Sequence, residues 1–438
     1  MQGIEQDPSK RDPFPLSLFL LLVVYYMAQP FVTSYISIYQ SSVGMSKTLI
    51  GLVGAGIALV ALFVKPIFGA MADKAHNKNT IAFWLILITA GAAVLFYVGY
   101  LFEQQSTALF VHVSVCTLLY QTGFGIASTL IEANGVELLN ERKGRWHFGH
   151  IRIGGTVGFM ISALLSSLII AGNHFERMFV VVFFYCIISA FWVRKLPPVS
   201  GKAKKKEHVP YSEILKNRPF LAILLLQFTN SMGMAFNRYF NIYLTDTSVN
   251  ALGRPNGLSF DTGFVGVLAF CNAALEIPFF WFAGKIRDKL GMRWFMTIAV
   301  MMNVTKNLLF SFVTSKPTIL LSTMVTGFSF VGIQFCTVNF LNDHMPRKMR
   351  STAQALNGLV HQVLGAIVVG AFGGWFADRY SVPVMLRVGA GIVALGGVVF
   401  FFFFGFAMKD HNRRYGPNMV PLGPDGRTTE EDEDAADD

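Results

Sequence analysis

Twelve long apolar runs constrain this chain of 438 residues more than any other feature of its sequence. A helix needs about 20 mostly apolar residues to cross the hydrocarbon core of a bilayer. A backbone can satisfy its own polar groups in that core only as a helix or a closed barrel, and runs of this length favour the helix. The sequence therefore predicts an all-α polytopic membrane protein. The predicted spans are 15–39, 48–71, 80–102, 107–131, 147–171, 178–194, 220–244, 262–284, 292–314, 318–342, 351–377 and 382–408.

The low content of charge and the scattered cysteines argue against several other classes of protein. Only 14% of the residues are charged and 53% are hydrophobic, which is unlike a soluble domain. The 4 cysteines lie singly in apolar runs, and no Cys/His cluster has zinc spacing, so we expect neither a disulfide framework nor a metal site. The sequence has no phosphate-binding G-x-x-x-x-G-K-[ST] loop and no nucleophile–base set. We therefore expect no enzyme activity and no cofactor.

The net charge of +10 is explained by basic residues in the loops of the predicted topology, so we expect no nucleic-acid partner. Lys and Arg concentrate in alternate connections between spans. Basic loops stay in the cytoplasm, so this pattern places both termini and the central loop there, with a bacterial inner membrane as the expected location. The basic connections contain Lys74 and Lys78, residues 142–145, residues 194–218, residues 285–293, residues 347–350, and Arg413 with Arg414; the others contain only Lys47, Arg177, Arg254, Lys316 and Arg379.

The chain divides into two similar halves with a polar connection between them. We expect six-helix bundles at 1–194 and 220–408, a cytoplasmic linker at 195–219 and a disordered cytoplasmic tail at 409–438. A G-x-x-x-D-K motif follows the second span and recurs after the eighth, at the corresponding place in each half. Its glycine permits close contact between helices, and its aspartate suits the N-terminus of a neighbouring helix. The motif residues are Gly69, Asp73 and Lys74, then Gly284, Asp288 and Lys289, with a third G-x-x-x-D copy at Gly374 and Asp378.

Two segments resemble transporters of the major facilitator superfamily. Residues 45–51 with 65–74 are similar to the second span, and residues 148–159 to the fifth span, of the oligosaccharide–proton symporters to which lactose permease belongs. Phenylpropionate-type and nucleoside permeases share much of this pattern. The resemblance extends over nearly the whole chain. It implies the major facilitator fold, in which two six-helix bundles are related by a pseudo-twofold axis, and it implies transport by alternating access.

Charged residues inside the spans are the candidates for substrate binding, because hydrocarbon excludes unpaired charges. Glu132 and Arg152 lie near the facing ends of consecutive spans, and we expect them to pair. In the family that the chain resembles, the matching acid and arginine bind sugar hydroxyls; the alternative is a pair that only ties two helices together. Phe159 stands in place of the family's tryptophan platform. The further candidates for substrate contact are Gln121, Thr156, Tyr26, Gln29 and Arg238.

A second set of ionisable residues lies on separate spans of the second half. Glu276, Lys306 and His361 each have an asparagine about one helical turn away, which is typical of a polar interior. By the resemblance, Lys306 stands where a cation is expected and His361 replaces a lysine, while the acid and histidine of the family's tenth span are missing. We expect Glu276 to carry the coupling proton and Lys306 and His361 to assist it. Lys65 and Arg387 lie toward span ends and are interpreted as structural.

These residues predict secondary active transport of a small polar solute, a sugar, by proton symport with alternating access. A small organic (aromatic) acid or a nucleoside is the alternative solute. A non-transporting membrane receptor or sensor is the alternative of another class. The expected partners are the solute, a proton and the lipid bilayer, and we expect a monomer.

Labelling of single cysteines in a background without the native ones tests the topology. Lys204→Cys, in the central loop, should stay unlabelled by a membrane-impermeant maleimide added to intact cells, whereas Asn256→Cys should react. Opening the cells should make both positions reactive, which controls for accessibility. Efficient labelling of position 204 from outside would contradict the predicted orientation.

Overall fold

Twelve helices that are long and apolar enough to cross a membrane occur in the described part of the chain. The structure is a computed structural model, and it describes residues 14–142, 148–199, 214–249, 255–312, 314–345 and 347–415. The predicted twelve-span helical architecture is confirmed. The helices α1 to α12 are Leu16–Ser42, Lys47–Lys74, Lys78–Val98, Thr107–Arg142, Phe148–Ile169, Phe175–Lys195, Arg218–Thr245, Gly263–Leu290, Met292–Phe312, Lys316–His344, Thr352–Arg379 and Val382–Tyr415.

Three of these helices are not regular along their whole length. α1 and α7 each consist of two pieces, and α11 continues a preceding helical segment and contains a π-helical turn. Such turns widen a helix locally and are frequent at functional sites. The pieces are Leu16–Met27 and Gln29–Ser42 in α1, Arg218–Ala235 and Asn237–Thr245 in α7, and Arg347–Leu359, Val360–Leu364 and Gly365–Arg379 in and before α11.

Prolines account for part of this irregularity. Pro30 stands in the first turn of the second piece of α1, where a missing backbone N–H costs nothing. Pro66 and Pro278 lie inside α2 and α8. Pro66 and Pro278 each remove one hydrogen bond from the helix interior, and for Pro66 the carbonyl that loses its donor belongs to Leu62.

Several helices continue beyond their apolar runs. α4 ends at Arg142 although the predicted span ended at residue 131, because backbone hydrogen bonding continues into polar residues after the hydrocarbon-length stretch is complete. Glu132 therefore lies inside α4, about 15 Å before its end at 1.5 Å per residue, and not at the helix terminus. α12 likewise continues to Tyr415, past the predicted start of the tail. Residues 416–438 of the tail and 200–213 of the linker lie outside the described residues.

The described residues form two compact units, and each unit contains a short segment from the other half of the sequence. The amino-terminal part of α2 packs with the second unit, and the start of α8 packs with the first. In α2 the boundary falls between Leu62 and Phe63, shortly before Pro66. The division of the chain at 195–219 stays a prediction. The units contain the described residues of Met1–Tyr39, Phe63–Ala203 and Asp261–Phe270, and of Gln40–Leu62, Lys204–Phe260 and Cys271–Asp438.

In the first unit, α1 and α5 pack backbone against backbone. Gly154 and Gly158 lie one helical turn apart on α5. A Cβ atom on Gly154 would lie 2.7 Å from the carbonyl oxygen of Phe19, and one on Gly158 would overlap the carbonyl of Val23. Small residues at this spacing allow membrane helices to approach closely. The contact holds the amino-terminal turns of α5 against the amino-terminal turns of α1.

In the second unit, α9 packs against α10 and α12, and α12 packs against α7. Aromatic side chains fill this core, whereas many outward-facing side chains of both units are large and apolar. Trp281 on α8 is 80% exposed and Phe372 on α11 is 69% exposed, which suits contact with acyl chains and not with water. The buried core includes Phe220, Phe295, Val300, Phe340, Phe400 and Phe404.

Substitution of Gly158 by alanine should destabilise the protein, because the new methyl group has no space against the Val23 carbonyl. Overpacking of this kind costs about 1–3 kcal/mol, so the midpoint of thermal unfolding in detergent should fall by several degrees. Gly91→Ala on α3 is the matched control, since a Cβ atom there meets nothing within 4 Å. Equal midpoints for the two variants would contradict the close packing of α1 on α5.

Candidate functional site

Glu132 of α4 and Arg152 of α5 form an ion pair inside the first unit. The distance from Arg152 Nε to Glu132 Oε1 is 2.7 Å, and the arginine and glutamate side chains are 39% and 31% exposed. The structure thus brings together the two residues that the sequence suggested as partners. Because both remain partly exposed, the pair neutralises its own charge without being closed to a ligand.

Tyr26 of α1 completes a three-residue cluster with this pair. Its hydroxyl donates a hydrogen bond to Oε1 of Glu132. The Arg152 guanidinium lies over the Tyr26 ring, with Cζ 4.5 Å from the ring centroid, which is a cation–π contact. Gly155 makes room for this arrangement, since a Cβ atom there would lie 2.5 Å from Nη1 of Arg152. We call Tyr26, Glu132 and Arg152 the first-unit cluster.

Tyr25, the neighbour of Tyr26, fixes the orientation of α1 against α4. Its side chain is fully buried, and its hydroxyl donates a 2.7 Å hydrogen bond to the carbonyl oxygen of Phe124. The Tyr25 and Phe124 rings stack with their centroids 4.6 Å apart. Tyr25 therefore has a packing role, and it turns Tyr26 toward Glu132.

The first-unit cluster keeps polar atoms free for a ligand. Oε1 of Glu132 is used twice, but Oε2 and the terminal nitrogens of Arg152 have no hydrogen-bond partner among the described residues. A carboxylate oxygen beside guanidinium N–H donors can bind adjacent hydroxyl groups, and the donors alone can bind a carboxylate. Both kinds of contact are charge-assisted and therefore stronger than hydrogen bonds between neutral groups.

The other first-half candidates lie in the same unit but are not joined to the cluster. Gln29, Gln121, Thr156 and Phe159 are all half-buried. Within the described ranges, their side chains form no hydrogen bond and no ring contact. They remain available to a ligand.

Lys65 of α2 is a residue that the sequence reasoning set aside as structural. Its side chain is half-buried, and its Cε lies 3.9 Å from the position of a Cβ atom on Gly125. Gly125 is two turns before Glu132 on α4, on the same helix face. Lys65 forms no ion pair with any described acid. The sequence did contain a signal for this residue, because Lys65 is the one charged residue in the predicted span 48–71.

In the second unit, Arg238 of α7 lies against the backbone of α2. A Cβ atom on Gly54 would overlap its guanidinium, so glycine at position 54 gives the arginine its space. Glu276 of α8 is half-buried and forms no ion pair or hydrogen bond with the described residues. Arg387 of α12 bonds to the end of α9, with its Nε 3.3 Å from the Ser311 hydroxyl.

Neither Lys306 nor His361 forms a hydrogen bond or an ion pair with Glu276 in the described part of the chain. Lys306 of α9 is only 3% exposed and forms no ion pair or hydrogen bond within the described residues. His361 lies in the π-helical turn of α11, and its buried Nδ1 has no partner in the described part of the chain. The polar links between helices here are made by amides: Asn303 Nδ2 donates to Asn230 Oδ1 over 2.6 Å.

The repeated motifs differ in the contacts that they make. A Cβ atom on Gly69 would meet nothing within 4 Å, and Asp73 is exposed and forms no ion pair or hydrogen bond with the described residues. Among the described residues, Asp288 bonds only to the adjacent Arg287, at 3.3 Å. Lys74 is exposed at the end of α2, and Gly284 has its nearest neighbour, the Phe335 ring, 4.0 Å from a Cβ position.

In the third copy of the G-x-x-x-D motif, the aspartate lies at the N-terminus of a neighbouring helix. The Asp378 carboxylate accepts hydrogen bonds from the backbone N–H groups of Lys47 and Thr48, at 3.1 and 2.8 Å, and from the Thr48 hydroxyl at 2.7 Å. It thereby caps the N-terminus of α2, where negative charge is favoured. A Cβ atom on Gly374 would overlap the Lys47 carbonyl, so this glycine lets the two helix ends meet.

Comparison with known proteins gives one family and several relatives. Residues 15–387 match the model of the MFS_1 like family. A maltose permease of Geobacillus stearothermophilus is 23% identical over 378 residues, which cover 85% of this chain and 89% of that protein. The uncharacterized transporter YwbF of Bacillus subtilis (strain 168) is 21% identical over 359 residues, covering 81% of this chain and 84% of that protein.

Solved structures of transporters share the fold at low sequence identity. A mutant of the nucleoside transporter NupG superposes with a TM-score of 0.72 at 16% identity, covering 89% of this chain and 99% of that one. A bacterial homolog of the human lysosomal transporter Spinster, in an inward-facing and unoccupied conformation, gives a TM-score of 0.67 at 13% identity, covering 90% and 97%. Because the family model matches most of its length, this chain belongs to the MFS_1 like family and is an integral membrane transporter of the major facilitator superfamily.

Proposed function

We propose that this transporter moves a small polar solute by proton symport and that the first-unit cluster binds the solute. The observation that carries the proposal is the ion pair between Glu132 and Arg152. Both side chains remain about one-third exposed, although both residues lie within apolar helices. Charged groups in such a position are costly unless they serve a ligand or a pathway. The alternative is a pair that only joins α4 to α5, and it predicts a different response to mutation.

A sugar is the solute that the chemistry of the cluster favours. Oε2 of Glu132 can accept a hydrogen bond, and the terminal nitrogens of Arg152 can donate two, which matches adjacent hydroxyl groups. The maltose permease among the relatives supports this choice, and the nucleoside transporter among the solved structures keeps a nucleoside as an alternative.

An organic acid is a second candidate, and a specific observation favours it. Lys65 of α2 lies beside Gly125, on the face of α4 that also carries Glu132. It has no acidic partner among the described residues. With Glu132 and Arg152 neutralising each other, Lys65 leaves this region of the first unit with a positive charge. A carboxylate on the solute would balance that charge.

Neutralising Glu132 tests the role of the cluster. Glu132→Gln should lower solute affinity on the order of tenfold or more, because one charge-assisted hydrogen bond contributes about 1.5–3 kcal/mol. Affinity is measured by thermal shift of the purified protein with maltose, uridine and phenylpropionate as probes. Glu137→Gln on the same helix is the control, since Glu137 pairs with Lys78 at 2.6 Å and lies outside the cluster.

A purely structural pair would behave differently. Glu132→Gln and Arg152→Gln would then each lower the folded yield, and the double variant would recover both yield and solute affinity, because no unpaired charge would remain. Full affinity in the double variant would overturn the binding role.

We further propose alternating access between two states distinguished by the aspartate motifs. The Asp378 cap on α2 and the close contact at Gly374 belong to one state. Asp73, which has no partner in the described residues, is free to cap a different helix in the other state. The similarity in fold to transporters, including one named for its inward-facing conformation, supports a cycle of this kind.

Glu276 is the proposed proton carrier, and exchange experiments can separate coupling from binding. A carrier must release and regain its proton in every cycle of net uptake, but it can stay protonated during solute exchange across the membrane. Glu276→Gln should therefore lose accumulation against a gradient and keep exchange in liposomes. Glu176→Gln, which removes an exposed acid at the start of α6, is the control.

Accumulation of solute by the Glu276→Gln variant with undiminished proton uptake would overturn this assignment. Loss of exchange together with accumulation would instead indicate a structural or solute-binding role. Binding of solute by the wild-type protein without any flux would favour a receptor over a transporter.

A further inference from the structure

Lys65 of α2 faces the middle of α4 and not the end of a helix. Among the described residues, its Cε is the one atom of another helix within 4 Å of the position of a Cβ atom on Gly125, at 3.9 Å. Gly125 lies near the centre of α4, so about 25 Å of helix separates it from either end. A lysine near a helix end can extend its ammonium group to water at the membrane surface. The position of Lys65 beside the centre of α4 does not suit that role.

The face of α4 beside Lys65 also carries the first-unit cluster. This face, which we call the polar stripe, consists of half-buried residues at helical spacing: Gln121, Gly125, Ser128 and Glu132. The Ser128 hydroxyl donates to the Gly125 carbonyl over 3.0 Å. It also lies beside the Tyr26 hydroxyl, which bonds to Glu132. Contacts within the first unit therefore run without a break from the position of Lys65 to the cluster.

The Lys65 ammonium group and the Glu132 carboxylate lie a short distance apart along the polar stripe. A side chain on a helix leans toward the N-terminus, so the Glu132 carboxylate covers the turn that contains Ser128. Gly125 lies one turn before Ser128, and the Lys65 ammonium nitrogen is one bond beyond the Cε atom at Gly125. One to two turns of helix correspond to about 5–10 Å. A single small solute lying along the stripe can therefore contact both charged groups.

The charges along the stripe suit a solute that carries both hydroxyl groups and a carboxylate. Glu132 and Arg152 neutralise each other and present an acceptor oxygen beside N–H donors, which suits adjacent hydroxyls. Lys65 has no acidic partner among the described residues, and Glu137, further along α4, pairs with Lys78 instead. An ammonium group only donates hydrogen bonds, so its partner is an acceptor. A negatively charged acceptor also offsets the cost of removing the ammonium group from water.

We propose that the solute is a sugar acid, whose adjacent hydroxyls bind Glu132 and Arg152 and whose carboxylate binds Lys65. This inference rests on the proposed transport function and narrows it. A neutral sugar would leave Lys65 without a counter-charge, and a simple organic acid would leave the first-unit cluster without hydroxyl partners. The hexuronates are the chemical class that fits best, because one ring carries the carboxylate and several adjacent hydroxyls.

Matched probes and the purified full-length protein test this assignment. D-Glucuronate carries both kinds of group, D-glucose carries the hydroxyls alone, and cyclohexanecarboxylate carries the carboxylate alone. D-Galacturonate and D-galactose repeat the comparison with another ring configuration. A probe that binds the folded protein raises the midpoint of thermal unfolding, and a titration at constant ionic strength in sodium chloride gives its dissociation constant. Each uronate should bind on the order of tenfold or more tightly than its neutral sugar and than cyclohexanecarboxylate, because it makes an additional charge-assisted contact.

The variant Lys65→Met should remove this difference selectively. Affinity for glucuronate should fall to that for glucose, whereas affinity for glucose should stay unchanged. Without ligand the variant should be at least as stable as the wild type, because an unpaired cation is replaced by an apolar side chain. Lys195→Gln, which removes an exposed lysine of the same unit, is the control and should keep the preference for uronates.

A second variant keeps the lysine and fills its site from within the protein. A Cβ atom at position 125 has space, since its nearest neighbour is the Lys65 Cε at 3.9 Å. Gly125→Asp therefore places a carboxylate next to the ammonium group, where it competes with the carboxylate of the solute. This variant should bind glucose like the wild type and lose the preference for glucuronate.

The outcomes separate this inference from the proposed function. Equal affinity of the wild type for uronates and neutral sugars would overturn the carboxylate site and leave the sugar site at the first-unit cluster standing. An equal loss of affinity for glucose and glucuronate in Lys65→Met would indicate a structural role and also overturn it, as would no response to either uronate. Uronate binding that responds to Lys65→Met as expected, without uptake into liposomes, would contradict the transport function and leave the site intact.

Discussion

The cost of leaving a polar group unpaired in hydrocarbon governs this molecule at every level. It requires the backbone to be helical through each span, because no water is present to bond a free N–H or carbonyl. It also explains why charged side chains in the spans have polar partners. The Glu132 carboxylate pairs with Arg152 and accepts a hydrogen bond from Tyr26, and the Arg387 guanidinium donates one to Ser311. The same cost makes Lys306 conspicuous, since it has neither a described partner nor contact with the surface.

Close helix packing is what brings the paired groups together. Hydrophobic burial gives little preference for one helix arrangement over another in lipid, so shape decides which faces meet. The glycines of α5 allow its backbone to touch that of α1, and this contact places the Arg152 guanidinium over the Tyr26 ring. The site in the first unit therefore depends on residues that carry no chemistry of their own.

The sequence was sufficient for the number of helices and for the partnership of Glu132 with Arg152. Both follow from local rules, namely span length and the expectation that charges on consecutive antiparallel helices pair. It was insufficient where the answer depends on which helix faces which. Hydropathy is averaged over a run of residues, so the predicted fourth span ended at residue 131. The hydrogen bonding of α4 continues to Arg142. It also could not show that Lys65 lies beside Gly125, that Lys306 lacks a counter-charge, or that Asp378 makes the cap while Asp73 does not.

The division of α2 between the two compact units coincides with the place where its hydrogen bonding is interrupted. Its first part packs with one unit and its last part with the other, and the boundary falls between Leu62 and Phe63. Pro66 removes the hydrogen bond that would stiffen the turns around Leu62. Helices bend most readily at prolines, so the turn before Pro66 is the place at which α2 is easiest to bend. A bend at this turn would leave the hydrogen bonds on both sides of it intact, so α2 could change direction there and remain helical.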